Sequence, residues 1–138
     1  MADPSVLFVC VSNAGKSVMA AGLMRHTAAP NIHISSAGTH AKTAVNDLSV
    51  QALTEIGVDI SGHQPVQLTD QMIAAADLIV IVGAQADVED HAGTPILRWD
   101  TDEPSLRGVD GIERMRIIRD DINTRVKDLA NELSSQSS

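Results

Sequence analysis

Phe8-Val9-Cys10-Val11-Ser12-Asn13-Ala14-Gly15-Lys16-Ser17 is the stretch from which the rest of the chain can be read. The apolar run that leads into it, Val6-Leu7-Phe8-Val9, has the length and composition of a buried strand. Small and polar residues follow, then a cation and a hydroxyl, then Val18-Met19-Ala20-Ala21-Gly22-Leu23-Met24 with helical spacing. Strand, tight loop and helix start is the geometry in which successive backbone N–H groups point inward and the helix dipole adds positive charge. A tetrahedral oxyanion fits such a nest, and a thiol at its rim is drawn toward thiolate.

Three readings compete for the stretch. Cys10, the only cysteine, can be a small buried side chain at a strand end, the commonest fate of a free cysteine. Gly15-Lys16-Ser17 matches the end of a nucleotide-binding G-x-x-x-x-G-K-[ST] loop, but the first glycine of that pattern falls on Cys10. The third reading is a nucleophilic cysteine facing an oxyanion, with five residues between Cys10 and Lys16 and a serine after it.

Cys10-Val11-Ser12-Asn13-Ala14-Gly15-Lys16-Ser17 resembles the signature loop of the low-molecular-weight tyrosine phosphatase and arsenate reductase superfamily. Most members carry arginine where this chain has Lys16. Lysine is a point charge without arginine's planar two-donor fork, so the change counts against ordinary phosphatase activity. It is the residue expected of the actinobacterial arsenate reductases that use mycothiol. By the same resemblance the backbone of Val11, Ser12, Asn13, Ala14, Gly15, Lys16 and Ser17 binds the oxyanion. Lys16 adds charge and the Ser17 hydroxyl stabilises the Cys10 thiolate.

The 138 residues suffice for one domain, 1–138, with a proper core and a flexible tail over 134–138. A net charge of −8 argues against nucleic acid or an anionic membrane as partner, and makes any anion site a local exception. One cysteine excludes a disulfide framework, and no signal peptide or membrane span is seen, so a cytoplasmic location is expected. The histidines His26, His33, His40, His63 and His91 are scattered without zinc-ligand spacing and read as surface or turn residues, so no metal is expected.

Along the chain, a first helix runs from about Gly15–Ser17 to Ala28 before Pro30, with Met19 and Leu23 toward the sheet. Ile32 to Ser35 alternates like a strand, and Ser36-Ala37-Gly38-Thr39 reads as a turn. The superfamily carries the same four residues there, which implies that Ser36 braces the oxyanion loop. Ala21 stands where some relatives use a glutamate to hold potassium, so that ion is not expected. Asn46 to Ile56 is an amphipathic helix with Leu48, Ala52, Leu53 and Ile56 on one face, closed by Gly57. Thr69 caps a helix to Ala75, and Asp77 to Val82 and Pro95 to Trp99 complete the strands. The expected fold is α/β, a single domain with a central four-stranded parallel sheet and helices on both faces, its ligand site at the carboxyl ends of the strands.

Trp99-Asp100-Thr101-Asp102-Glu103-Pro104-Ser105 follows the last strand. By composition it is a solvated acidic turn. In the superfamily an aspartate just before a proline protonates the departing oxygen; the matching residue here is Glu103, with Asp102 beside it, and which of the two donates stays open. Beside a bound dianion such an acid should have a raised proton affinity. Val109 to Leu133 is a long helix with Ile112, Met115, Ile118, Ile122, Val126 and Leu129 as its buried stripe. Glu113, Arg114, Arg116, Arg119, Asp120, Asp121, Arg125, Lys127 and Asp128 are read as its solvated face. Arg107 and the arginines at the start of this helix are not expected to reach the site. This segment too is similar to the mycothiol-dependent reductases.

Two absences bear on the substrate. The chain has no tyrosine and only one phenylalanine and one tryptophan. The aromatic walls of phosphotyrosine phosphatases are therefore lacking, and Ser105 stands where those enzymes place a tyrosine. Thioredoxin-coupled arsenate reductases of this superfamily resolve the first cysteine with two more, and Cys10 has no companion. The resemblance therefore implies arsenate as substrate, mycothiol as co-substrate, no bound cofactor, and a mycoredoxin acting on the arseno–mycothiol product. The rival readings are a phosphatase acting on small phosphate esters or phosphoproteins, and a non-catalytic oxyanion-binding protein.

Overall fold

Every second residue of the strand Ser5–Cys10 (β1) faces the same layer, and both layers are apolar. Val6 and Phe8 face one core and Leu7 and Val9 the other. This is what a strand in the middle of a covered parallel sheet requires. The computed structural model describes residues 4–27, 31–88 and 93–136. After β1 come a helix Lys16–Thr27 (α1), a strand His33–Gly38 (β2), helices Asp47–Thr54 (α2) and Asp70–Ala75 (α3), strands Leu78–Val82 (β3) and Ile96–Trp99 (β4), and a helix Gly111–Gln136 (α4). The four strands form one parallel sheet in the order β2-β1-β3-β4. The chain is thus a single α/β domain of the expected class.

The larger core joins Val6, Phe8, Val80 and Val82 to residues of α1, α2 and α4. The smaller one joins Leu7, Val9, Ile79 and Ile81 to Ile73 of α3, so helices cover both faces. Phe8 and Trp99 meet in the larger core with ring centroids 5.6 Å apart and a tilted geometry. Because β1 has β2 on one side and β3 on the other, the loops leaving β1 and β3 diverge at their carboxyl ends and open a crevice. Cys10 ends β1 at that crevice.

Several elements depart from the sequence reading. All of Ser17–Met24 is buried, not just the face carrying Met19 and Leu23. The small residues Ala20, Ala21 and Gly22 let other elements pack on the far side; a Cβ on Gly22 would lie 2.7 Å from Ile60 Cγ2. Ser36, Ala37 and Gly38 belong to β2 rather than to a turn, because they pair in register with Phe8, Val9 and Cys10. In α2 the buried residues are Ser49, Ala52 and Leu53; Leu48 and Ile56 are exposed, and the helix ends before Ile56. Thr69 caps α3 as expected, accepting from the Met72 N–H. A 3-10 turn, Pro104–Arg107, takes the place of an open acidic turn. The helix α4 runs on to Gln136, through part of the expected tail; residues 137–138, the region of Ala28 and Pro30, and His91 lie outside the described residues. Among those described, no helix is long and apolar enough to cross a membrane.

Candidate active site

The loop between β1 and α1 is shaped by its backbone partners. The carbonyls of Cys10, Val11, Ser12 and Ala14 accept from the N–H groups of Thr39, His40, Lys42 and Asn46, at 2.8–3.0 Å. This ladder draws the loop against the end of β2, where a side chain would not fit. A Cβ on Gly38 would stand 2.6 Å from the Val11 oxygen and 2.8 Å from the Asn13 nitrogen. Of the loop's N–H groups, that of Asn13 turns to Cys10 Sγ and that of Ala14 to Ser12 Oγ at 3.2 Å.

Asn13 is the one non-glycine residue described with positive φ, at 49°. The left-handed conformation suits asparagine better than most residues. Its side chain is fully buried and makes three bonds. Its Oδ1 accepts from the Val66 N–H at 2.8 Å and from His63 Nε2 at 2.9 Å, and its Nδ2 donates to Ser17 Oγ at 2.8 Å. Because the amide oxygen only accepts, the network assigns the ring proton of His63 to Nε2. Burial, helped by the nearby Arg25 charge and opposed by the Asn13 bond, holds His63 below its ordinary range and so favours that neutral form.

Ser17 in turn stands 2.9 Å from Cys10 Sγ, and the Asn13 backbone N–H reaches the same sulfur at 3.3 Å. Cys10 is 6% exposed at the base of a cavity of about 560 Å³. Val11, Ser12, Ala14, Gly15 and Lys16 form one side of that cavity, and Glu103 and Arg114 another. Further lining comes from Lys42, Ala44 to Asp47 and Ser49, from the end of β3 and the loop after it, and from Met115 and Ile118 of α4. No aromatic ring lines it.

Opposite the loop, the Glu103 carboxylate is held by donors on both oxygens. Its Oε1 accepts from Arg114 Nη2 at 2.7 Å and from Lys16 Nζ at 3.4 Å; its Oε2 accepts from Arg114 Nε at 2.8 Å and Ser105 Oγ at 2.9 Å. The Arg114 fork, then Ser105 and the Lys16 charge, outweigh partial burial and hold this carboxyl far below the usual range. Asp102 lies outside the cavity. It receives both Arg107 nitrogens at 2.8 Å, and that pairing lowers it as well. Among the described residues no group of three or more His, Cys, Asp or Glu is arranged to hold a metal ion.

A family model described as low molecular weight phosphotyrosine protein phosphatase matches residues 5–138. The chain belongs to that family. Within reach of it by sequence is arsenate reductase 1 of Staphylococcus epidermidis, 29% identical over 96% of this chain and 100% of that protein. Among solved structures, the Corynebacterium glutamicum thioredoxin-dependent arsenate reductase Cg_ArsC1' shares 32% identity at a TM-score of 0.80 over 96% of this chain. The chain spans 63% of that protein's length. The YwlE arginine phosphatase from Geobacillus stearothermophilus, 22% identical with a TM-score of 0.79 over 96% of this chain and 94% of that one, shares the fold.

In this member of the phosphatase family, Cys10, Val11, Ser12, Ala14, Gly15, Lys16 and Glu103 meet around one cavity. Asn13 and Ser17 do not line it; they stand behind it, fully buried, and act on the loop and the sulfur. Without an anion beside it, Glu103 has a lowered proton affinity, chiefly through Arg114. Two expectations are corrected. Arg114 is not on a solvated face; it reaches the cavity and clasps Glu103. Arg116 and Arg119 are likewise engaged, both with Glu55, and Arg119 also donates to the Ala52 carbonyl at 2.9 Å. Ser36 is buried in β2 opposite Phe8, and the loop is fixed by the residues that follow it, Gly38 to Asn46. Sequence reasoning passed over His63, fifty residues from its partner Asn13. Arg114 had one available signal: it borders the buried Met115 and Ile118 stripe.

Proposed function

We propose that the protein reduces arsenate by nucleophilic catalysis at Cys10, with mycothiol as the second thiol. The observation that carries the reading is a lone cysteine, held by two hydrogen bonds, in a cavity it shares with the loop that follows it and with Lys16. The names of the Staphylococcus and Corynebacterium relatives add support for arsenate.

Arsenate enters the nest of Val11 to Ser17, with Lys16 supplying positive charge. The Cys10 thiolate attacks arsenic, an As–O bond breaks, and the departing oxygen leaves as water with a proton from Glu103 or Asp102. The clasped carboxylates have to exchange their arginine partners for that proton first. Arsenic stays pentavalent on Cys10. Mycothiol then attacks arsenic, displaces the Cys10 thiolate and carries arsenic away. A mycoredoxin thiolate reduces this conjugate by attacking its sulfur, and arsenite departs with the electron pair. The protein is thus a cytoplasmic arsenate-mycothiol transferase serving arsenate detoxification.

The 138 residues hold no second cysteine for an internal disulfide, which favours a small thiol over the thioredoxin route named for the Corynebacterium neighbour. The family also contains phosphatases, and hydrolysis of small phosphate esters is the second reading. The lack of aromatic walls in the cavity weighs against aryl phosphates. The test is arsenate turnover with mycothiol, mycoredoxin and its reductase, run beside thioredoxin and glutathione systems. Activity with mycothiol that vanishes in Cys10→Ser supports the reading. Turnover with thioredoxin alone, or para-nitrophenyl phosphate hydrolysis far exceeding arsenate turnover, defeats it. Oxyanion binding without any Cys10-dependent turnover identifies a binding protein instead.

A further inference from the structure

Lys16 and Arg114 converge on a single oxygen. Glu103 Oε1 lies 3.4 Å from Lys16 Nζ and 2.7 Å from Arg114 Nη2. The two cations come from opposite ends of the chain, one at the start of α1 and the other in the first turn of α4. Both line the cavity above Cys10. The carboxylate between them is an anion in an anion's position, and it arrives by way of the acid loop.

We propose that Arg114 is a direct oxyanion ligand, and that the Glu103 carboxylate holds the place between Arg114 and Lys16 that a substrate oxygen takes over. This rests on the reading of the cavity as an oxyanion site. The chemistry favours the exchange. A guanidinium offers two parallel donors that match two oxygens of a tetrahedral anion, which the ammonium of Lys16 cannot do alone. A dianion attracts both cations more strongly than a single carboxylate does. The other nearby arginines are committed elsewhere: Arg107 to Asp102 outside the cavity, Arg116 and Arg119 to Glu55. Of the remaining charges on the cavity wall, Lys42 adds to the attraction and Asp47 opposes it. The exchange also serves the acid. Released from its clasp beside a dianion, Glu103 takes up a proton from solvent, as a donor must.

The experiment is calorimetric titration of the intact protein with inorganic phosphate, and separately with arsenate, in four variants beside the parent: Arg114→Gln, Arg114→Lys, Glu103→Gln and the Arg114→Gln/Glu103→Gln pair. Loss of a charge-assisted fork should weaken phosphate binding about tenfold or more in Arg114→Gln, and less in Arg114→Lys. Glu103→Gln should tighten binding, because it removes the competing anion. In the Glu103→Gln background, Arg114→Gln should still cost about tenfold. The same substitution should raise KM for arsenate more than it lowers kcat. If Arg114 merely fixes Glu103, its removal changes nothing once Glu103 is glutamine, and the inference fails while the oxyanion reading stands. If neither anion binds the parent protein, both fail together.

Discussion

Asn13 and Ser17 are joined side chain to side chain at 2.8 Å, amide nitrogen to hydroxyl oxygen, directly behind the Cys10 sulfur. Because the amide donates, the hydroxyl hydrogen is left to point at Sγ. One buried asparagine thereby sets the turn of the loop, the position of His63 and the polarity of the serine. Asn13→Ala removes three buried bonds and places alanine at φ 49°. A loss of about 2–4 kcal/mol in unfolding free energy is expected, from unsatisfied partners and left-handed strain together. Urea denaturation measures it, and an alanine variant as stable as the parent would contradict this account of the loop.

Ser17→Ala tests the sulfur directly. Without the hydroxyl at 2.9 Å, the hydrogen bond left at Sγ among the described residues is that from the Asn13 N–H. Losing one hydrogen bond of about 1.4 kcal/mol should slow alkylation of Cys10 by iodoacetamide at neutral pH about tenfold. An unchanged rate would mean that the serine is only a packing residue.

Two glycines make a matched pair. Gly38→Ala forces a methyl to within 2.6 Å of the Val11 oxygen and should push the loop off β2. The expected cost is about 1–3 kcal/mol, accompanied by loss of phosphate binding. Gly57→Ala, at φ +81° with nothing within 4 Å, should cost about 1 kcal/mol by strain alone and leave phosphate binding intact. Equal effects on binding would remove the special role given to Gly38.

Acid stability should report on Glu55. Its hydrogen bonds with Arg116, then Arg119, lower its carboxyl from an ordinary 4.5 to about 2. A depressed value in the folded state means the group stabilises the fold above about 4.5, and the contribution fades as pH falls toward 2. Glu55→Gln should therefore melt lower than the parent at neutral pH, with the gap closing between pH 4.5 and 2. Because the pair is exposed to solvent, added salt should narrow the gap at neutral pH as well. A gap that stays constant with pH would assign the effect to packing.

The fold was readable where pattern and period agree. The unbroken apolar runs of β1 and β3, the Thr69 cap and the Ile118-Ile122-Val126 stripe of α4 stand where they were expected. The errors came where tertiary pairing overrode local chemistry. Ser36-Ala37-Gly38 reads as a turn from composition, yet partners in β1 hold it extended. Leu48 and Ile56 have the spacing of a buried face, but α2 is only eight residues long and docks through Ser49, Ala52 and Leu53. At the site, the cysteine loop and the acid loop are local motifs and were legible. The Arg114 clasp and the His63 bond join residues 11 and 50 positions apart, and no periodicity encodes them. The ionisation of Glu103 could not be read from Ser105 alone, since the largest influence on it, Arg114, arrives from α4 and the Lys16 charge from α1.

The outward engagement of the loop carbonyls by Thr39, His40, Lys42 and Asn46 has an electrical consequence. A molecule with eight excess acidic charges repels phosphate-like ions at long range, so encounter with them is slowed at low ionic strength. On the proposed reading of the loop as an oxyanion site, the sign reverses at contact, where peptide dipoles replace the distant surface field. Dissolved salt masks the first effect far more than the second. Moderate saline should accordingly speed capture of the anion while barely loosening its hold.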